Sequence, residues 1–132
     1  MKHYSVVAAV VCRQGKYLCM QKGQTKFPYT SFKYEFPGGK VEPGETPEEA
    51  LRRELLEEMD YAVQVDRHLV TVHHAYPDFE ITLQAYLCSA DDESFRLKEH
   101  QAFCWLPVER LSELDWAAAD VGIVNALTHA AE

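Results

Sequence analysis

Glu54, Glu57 and Glu58 stand at positions i, i+3 and i+4 of one short segment. On a helix, at about 100° per residue, their side chains share a face roughly 100° wide. Carboxylates so placed repel by a few tenths of a kcal/mol per pair, and a cation reverses that sign. Such hard oxygen ligands suit Mg²⁺, with Mn²⁺ as a substitute, and a site with few protein ligands leaves positions for water and phosphate oxygens. A Glu-rich helix standing alone is more often a solvated face, here balanced by Arg52 and Arg53. The residues upstream change that reading. Gly38-Gly39 leads through a short loop containing Gly44 into the same helix, and glycine lets backbone groups come close to a metal and its phosphates.

The helix that must carry these acids is well marked. Thr46 suits the N-cap, Pro47 the first helical position, and Glu49 closes a capping box with Thr46, which predicts a helix from Pro47 to Met59. Leu51, Leu55 and Met59 form a separate apolar stripe for packing on a core. Val6 to Cys12 and Lys16 to Gln21 read as strands around a turn at Arg13-Gln14-Gly15. A polar, aromatic loop runs from Gly23 to Phe32. Val63 to Ala75 and Phe79 to Cys88 read as strands joined by a turn at Tyr76-Pro77-Asp78, Asp91 to Glu93 as loop, and Ala102 to Leu106 as a further strand. Val121, Val124 and Leu127 recur at helical spacing within Ala117 to Ala131. Strands with two helices predict an α/β domain, its sheet covered on both faces.

Formal net charge is −8, with 21 acidic against 13 basic residues, which argues against a grip on polymeric nucleic acid. An acidic protein still handles a polyphosphate when divalent cations bridge the two sets of negative charge. A chain of 132 residues without a linker or repeat is expected to form one domain over 1–132. The N-terminal apolar run reads as a strand and not a signal peptide, and no stretch approaches the roughly 20 apolar residues that span a bilayer. A cytoplasmic protein without membrane attachment, a monomer or a homodimer, is the expectation. Cys12, Cys19, Cys88 and Cys104 stand singly in apolar runs; they are expected to be reduced core thiols and not a zinc site.

Gly39, Glu45, Arg53, Glu54, Leu55, Glu57, Glu58 and Tyr61 together resemble the Nudix box, G-x5-E-x7-R-E-U-x-E-E-x-G-U, in register. One position departs: Asp60 stands where the family has the glycine just past the helix end. That glycine supplies a left-handed conformation, which Asp adopts at a cost of roughly 1 kcal/mol, and Asp60 places negative charge at the unfavourable end of the helix dipole. The resemblance implies the Nudix fold, a mixed β-sheet between α-helices (α/β/α). It implies Mg²⁺ ligation by Glu54, Glu57 and Glu58 with the carbonyl of Gly38, and an orienting role for Arg53. Glu45 is expected to brace the loop.

Glu35-Phe36-Pro37-Gly38-Gly39-Lys40 and Tyr76-Pro77-Asp78-Phe79-Glu80-Ile81-Thr82-Leu83 are similar to MutT-type nucleoside triphosphate pyrophosphohydrolases. That likeness implies water attack at the β-phosphorus, giving a nucleoside monophosphate and pyrophosphate, with 8-oxo-dGTP and cytidine-type triphosphates as substrates and a nucleotide-pool sanitising role. Glu99 matches a late carboxylate that binds metal or acts as base. His100 beside it reads as a hydrogen-bonding loop residue. Asp120 matches a base-contacting position and reads equally as an N-cap. Lys22 matches a basic position near the nucleotide, its alternative being a solvated strand end. Phe36 is either a base-pocket wall or core. Lys22, Glu35, Phe36, Pro37, Gly38 and Asp120 are thus the expected substrate-binding residues, and Glu54, Glu57, Glu58, Glu99 and Arg53 the catalytic ones. Other Nudix enzymes act on ADP-ribose or dinucleoside polyphosphates, flagged by Pro or Tyr beyond the box; Tyr76-Pro77 is read here as a turn and not as that marker. A non-catalytic nucleotide-binding module is the remaining alternative.

Overall fold

The computed structural model describes residues 1–131. Strand β1 (Lys2–Arg13) turns at Gln14 and Gly15, both with positive φ (53° and 76°), into β2 (Lys16–Lys22). Two consecutive left-handed residues make a hairpin turn whose twist matches the strands, with Gly taking the second position without a Cβ penalty. Two short strands follow, β3 (Tyr34–Glu35) and β4 (Gly38–Lys40), then helix α1 (Pro47–Met59). Long strands β5 (Gln64–Ala75) and β6 (Phe79–Ser89), strand β7 (His100–Leu106), a 3₁₀ helix (Val108–Glu113) and helix α2 (Ala118–Ala131) complete the chain.

The sheet runs β3-β2-β1-β6-β5, with β4 paired to β1 and β7 to β2. It is mixed: β1 lies parallel to β6 from Lys2↔Phe79 to Val11↔Cys88, and β5 is antiparallel to β6. Alternation along β1 divides the core into two layers. Val7, Ala9 and Val11 pack under Leu51, Leu55 and Met59 of α1, while Ala8 and Val10 face Ile123, Val124 and Leu127 of α2. The α/β/α expectation holds: α1 buries its stripe on one face, and α2 buries Val124 and Leu127 together with Ile123 on the other, whereas Val121 of the expected stripe is exposed.

Helix α1 begins and ends where the capping signals put it. The Thr46 hydroxyl accepts from the Glu49 amide at 3.1 Å and the Glu49 carboxylate accepts from the Thr46 amide at 2.9 Å. Asp60 takes the left-handed conformation, φ 51° and ψ 36°, and its amide reaches back to the carbonyls of Leu55 and Leu56. Its carboxylate accepts from Lys98 Nζ at 2.9 Å, which sets a positive charge beside the negative end of the helix dipole.

The structure differs from the sequence expectations in a few places. β1 starts four residues before Val6, since parallel pairing to β6 holds Lys2 to Ser5 whatever their polarity. β3, β4 and the 3₁₀ helix were not anticipated, and β7 extends back to His100, which is therefore a strand residue. Of the cysteines, Cys19 and Cys88 are buried, whereas Cys12 and Cys104 are partly exposed. No helix of the described residues is long and apolar enough to cross a membrane.

Candidate active site

The acid-bearing face of α1 meets strand β4, and glycine makes the fit possible. A Cβ on Gly39 would stand 2.4 Å from the carboxylate carbon of Glu54, and one on Gly38 would stand 1.9 Å from the carbonyl oxygen of Val7 in β1. Gly39 thus clears room for an acid, and Gly38 clears room for the sheet. The two β4 glycines pair with Val7 and Ala8, and Pro37 just before them accepts from the Ala9 amide at 2.7 Å.

Arg53 organises the neighbourhood. Its Nε and Nη2 donate to the two oxygens of Glu45 at 2.6 and 2.9 Å, Nη1 to Glu54 at 3.0 Å and to Glu57 at 3.2 Å, and Nη2 to the carbonyl of Lys40 at 3.1 Å. Its fixed planar fork suits such multiple acceptors. The hydrogen bonds from Arg53 hold the Glu45 carboxyl below its ordinary value. Glu45 also accepts from the Glu42 amide at 2.9 Å, so it ties the loop that enters α1 to the helix itself.

Glu58 is the most perturbed acid of this face. Burial raises its pKa, followed by the charges of Glu99, Glu54 and Glu35, a coupled set in which a proton is retained where ordinary carboxyls have lost theirs. Glu54, Glu58, Glu99 and Glu35 are therefore gathered together from α1, the segment before β7, and β3. Glu57 is the exposed member of the face, sharing Arg53 Nη1 with Glu54. Among the described residues no three His, Cys, Asp or Glu side chains are drawn closely enough together to hold a metal ion as they stand.

Beside the two glycines opens a cavity of about 720 Å³. One wall is aromatic. The loop before β3 folds on itself through Thr25, Thr30 and Ser31, whose hydroxyls converge on the carbonyl of Phe27. It presents Phe27, stacked on Tyr29 at 5.2 Å, and Tyr29 in turn stacks on Tyr76 at 5.6 Å while its hydroxyl donates to Asp78 at 2.7 Å. Phe79 joins Phe27 and Tyr76 from the start of β6. Tyr76 is buried, and its hydroxyl accepts the Ala119 amide at the start of α2.

At the floor, Asp120 accepts the Phe36 amide at 3.0 Å through Oδ2. Burial first and Glu35 second push its pKa well above the ordinary carboxyl value. It lies in the first turn of α2, and its carboxylate bonds the residue after β3 and not its own helix, so it is no simple N-cap. Glu35 forms an ion pair with Lys22 at 3.4 Å and a hydrogen bond with His100 Nε2 at 2.8 Å. Phe36 is at once core and wall: it stacks on Trp116 at 4.7 Å and borders the cavity. Lys2, Lys22, Lys26 and Lys40 also border it, a cationic rim on an acidic chain, with Lys40 lying over the Tyr4 ring at 4.1 Å.

Of the residues expected to bind substrate, Lys22, Glu35, Phe36, Gly38 and Asp120 line this one cavity. Pro37 does not. It is fully buried, and its carbonyl is committed to the Ala9 amide of β1. Glu54, Glu57, Glu58 and Glu99 lie outside the cavity's lining, beyond Gly39 and Glu35, which touch both regions. The sequence reading missed Phe27, Tyr76 and Phe79 as walls. The available signal was the density of aromatic residues in two segments separately read as a loop and a turn.

The family model of the NUDIX domain matches residues 1–127. The chain is 36% identical to CTP pyrophosphohydrolase of Escherichia coli (strain K12), covering 96% of this chain and 92% of the relative. It is 41% identical to 8-oxo-dGTP diphosphatase of Proteus vulgaris over 65% of this chain and 76% of that one. Among solved structures, the E. coli ORF135 protein superposes with a TM-score of 0.81 at 32% identity, covering 98% of this chain and 91% of that one. A MutT protein from Methanosarcina mazei Go1 shares the fold, with a TM-score of 0.87 at 18% identity over 99% of this chain and 96% of that one.

Proposed function

The chain belongs to the NUDIX domain family, and from that premise we propose that it hydrolyses a nucleoside triphosphate, of the 8-oxo-dGTP or cytidine type, to the monophosphate and pyrophosphate. The observation that carries this reading is the continuity of two unlike regions across Gly38 and Gly39: an aromatic cavity on one side, clustered carboxylates on the other. A base stacks in the first and a polyphosphate extends into the second. We place this activity in the cytoplasmic nucleotide pool.

Each residue then has a task. Phe27, Tyr76 and Phe79 form the wall against which the base packs, and Asp120 meets its polar edge from the floor with the oxygen that Phe36 leaves free. Lys22, Lys26 and Lys40 neutralise phosphate oxygens along the rim. Glu54 and Glu58, with the carbonyl of Gly38, fit a hard divalent cation: the donors are oxygens, burial and then the neighbouring carboxylates keep Glu58 protonated without one, and the missing Cβ of Gly39 lets the Glu54 carboxylate lie against β4. Glu57 completes the set on release from Arg53. When bound, Mg²⁺ supplies charge neutralisation on the phosphates and a more acidic water. Glu99, exposed at the edge of the cluster, takes the proton of the attacking water on its carboxylate. Arg53 keeps Glu54 oriented through the change of charge.

The reading is tested by incubating pure protein with 8-oxo-dGTP, dGTP, CTP, dCTP, ADP-ribose and diadenosine tetraphosphate, with and without Mg²⁺, beside Glu57→Gln. Monophosphate and pyrophosphate from one triphosphate, abolished without metal and in the variant, is the expected result. Turnover of ADP-ribose or the dinucleotide alone moves the chain to another branch of the family. Binding of a triphosphate without any turnover makes it a nucleotide-binding module.

A further inference from the structure

Cys19 on β2 and Cys104 on β7 are direct partners in the antiparallel register. Residues so opposed project to the same face with Cβ atoms about 4.5–5.5 Å apart, close to the roughly 3.5–4.5 Å of a disulfide. The two side chains share the sheet face covered by the 3₁₀ helix and α2. They are not equivalent. Cys19 is fully buried, and its Sγ donates to the carbonyl of Tyr17 at 3.4 Å. Cys104 is partly exposed; burial raises its thiol pKa, and the Cys19 thiol and the Arg110 guanidinium offset that rise only in part. The other two cysteines have different neighbours: Cys88 packs in the layer under α1, and Cys12 is opposed by Tyr17.

We propose that Cys104 and Cys19 form a peroxide-driven, reversible disulfide site in which Cys104 reacts first and Cys19 resolves it. In the first step the Cys104 sulfur attacks one oxygen of a peroxide and the O–O bond breaks. Cys104 becomes a sulfenic acid, and the other oxygen leaves as water or, from an organic peroxide, as an alcohol. In the second step the Cys19 sulfur attacks the Cys104 sulfur, the S–O bond breaks, and water leaves with the Cys19 proton. The two thiols lose two electrons and the peroxide gains them; a dithiol reverses the bond. The link joins the strand carrying Lys22 to the strand that opens with His100, the two partners of Glu35, across a register shift between Gln21 and Lys22.

The folded wild-type protein is treated with hydrogen peroxide, its remaining thiols are alkylated, and it is digested with trypsin without reductant. The expected product is peptide 17–22 joined to peptide 99–110, lighter than their sum by two hydrogen atoms and separated again by dithiothreitol. Thiols titrated after unfolding fall from four to two per chain. In Cys19→Ser, a sulfenic-acid trap labels Cys104. Over-oxidation of Cys104 while Cys19 remains alkylable overturns the proposal, as does a predominant link through Cys12, through Cys88 or between chains. The wild-type digest decides the matter even where a variant folds poorly.

Discussion

Adding one methyl group at Gly38 or at Gly39 should damage the protein in two different ways. At Gly38 the new Cβ meets the carbonyl oxygen and carbonyl carbon of Val7 at 1.9 and 2.8 Å, all backbone of the central strand. Neither strand can yield without parting, and β4 is held to β1 through Val6, Val7 and Ala8, flanked by the Ala9 to Pro37 and Val41 to Ser5 bonds. Losing two or three backbone hydrogen bonds, at about 1 kcal/mol each and more where a buried group is left unpaired, makes Gly38→Ala destabilising by about 3 kcal/mol or more. At Gly39 the new Cβ meets only the carboxylate of Glu54, at 2.4 to 2.8 Å. A side-chain end swings away at little cost in folding, about 1 kcal/mol or less, but this one must shift by roughly 1 Å, and a misplacement of that size costs about 10²-fold in turnover. Urea melts followed by circular dichroism give the first quantity, and Mg²⁺-dependent pyrophosphate release at saturating triphosphate gives the second. A stable Gly38→Ala, or a Gly39→Ala that turns over at the wild-type rate, refutes this division between sheet and site.

Three further outcomes follow from the same geometry. Because the folded pKa of Asp120 is raised from 3.8 to about 8, its contribution to stability is full below pH 4 and is lost as pH rises toward 8; the melting temperature of Asp120→Asn relative to wild type should therefore climb steadily over that window, and a flat difference contradicts the buried-acid assignment. Asp60→Gly relieves a left-handed non-glycine residue worth about 1 kcal/mol and removes an acid at the helix C-terminus, so it should raise the urea midpoint slightly despite losing the Lys98 contact; a lowered midpoint means that contact outweighs both. Mg²⁺ at millimolar concentration should raise the wild-type melting temperature by binding the folded acid cluster, and Glu58→Gln should shrink that rise; equal shifts in both proteins exclude Glu58 from the cation site.

How far the sequence reveals this molecule depends on which interactions are local. Thr46, Pro47 and Glu49 specify the start of α1 within four residues, and the helix begins there. Gln14-Gly15 likewise specifies its own turn. β3 and β4, of two and three residues, carry no periodicity at all; they are strands because Met20 and Val7 pair with them across the sheet. Glu35 was legible as a site residue, but its link to Lys22, His100 and Asp120 joins four separate segments. The aromatic wall was hidden for the same reason: Phe27 and Tyr76 lie 49 positions apart and meet only through Tyr29 and Phe79. Spacing on a helix places Glu57 with Glu54 and Glu58, and Arg53 Nη1 bonds both Glu54 and Glu57, though Glu57 stays exposed while Glu58 is buried among other acids.

The most direct test of the central claim is to run the reaction on the preferred triphosphate in water enriched in oxygen-18 and weigh both products. The account predicts monophosphate and pyrophosphate, with the heavy oxygen in the pyrophosphate, as attack on the β-phosphorus requires. Label in the monophosphate, or release of orthophosphate and a diphosphate, contradicts it.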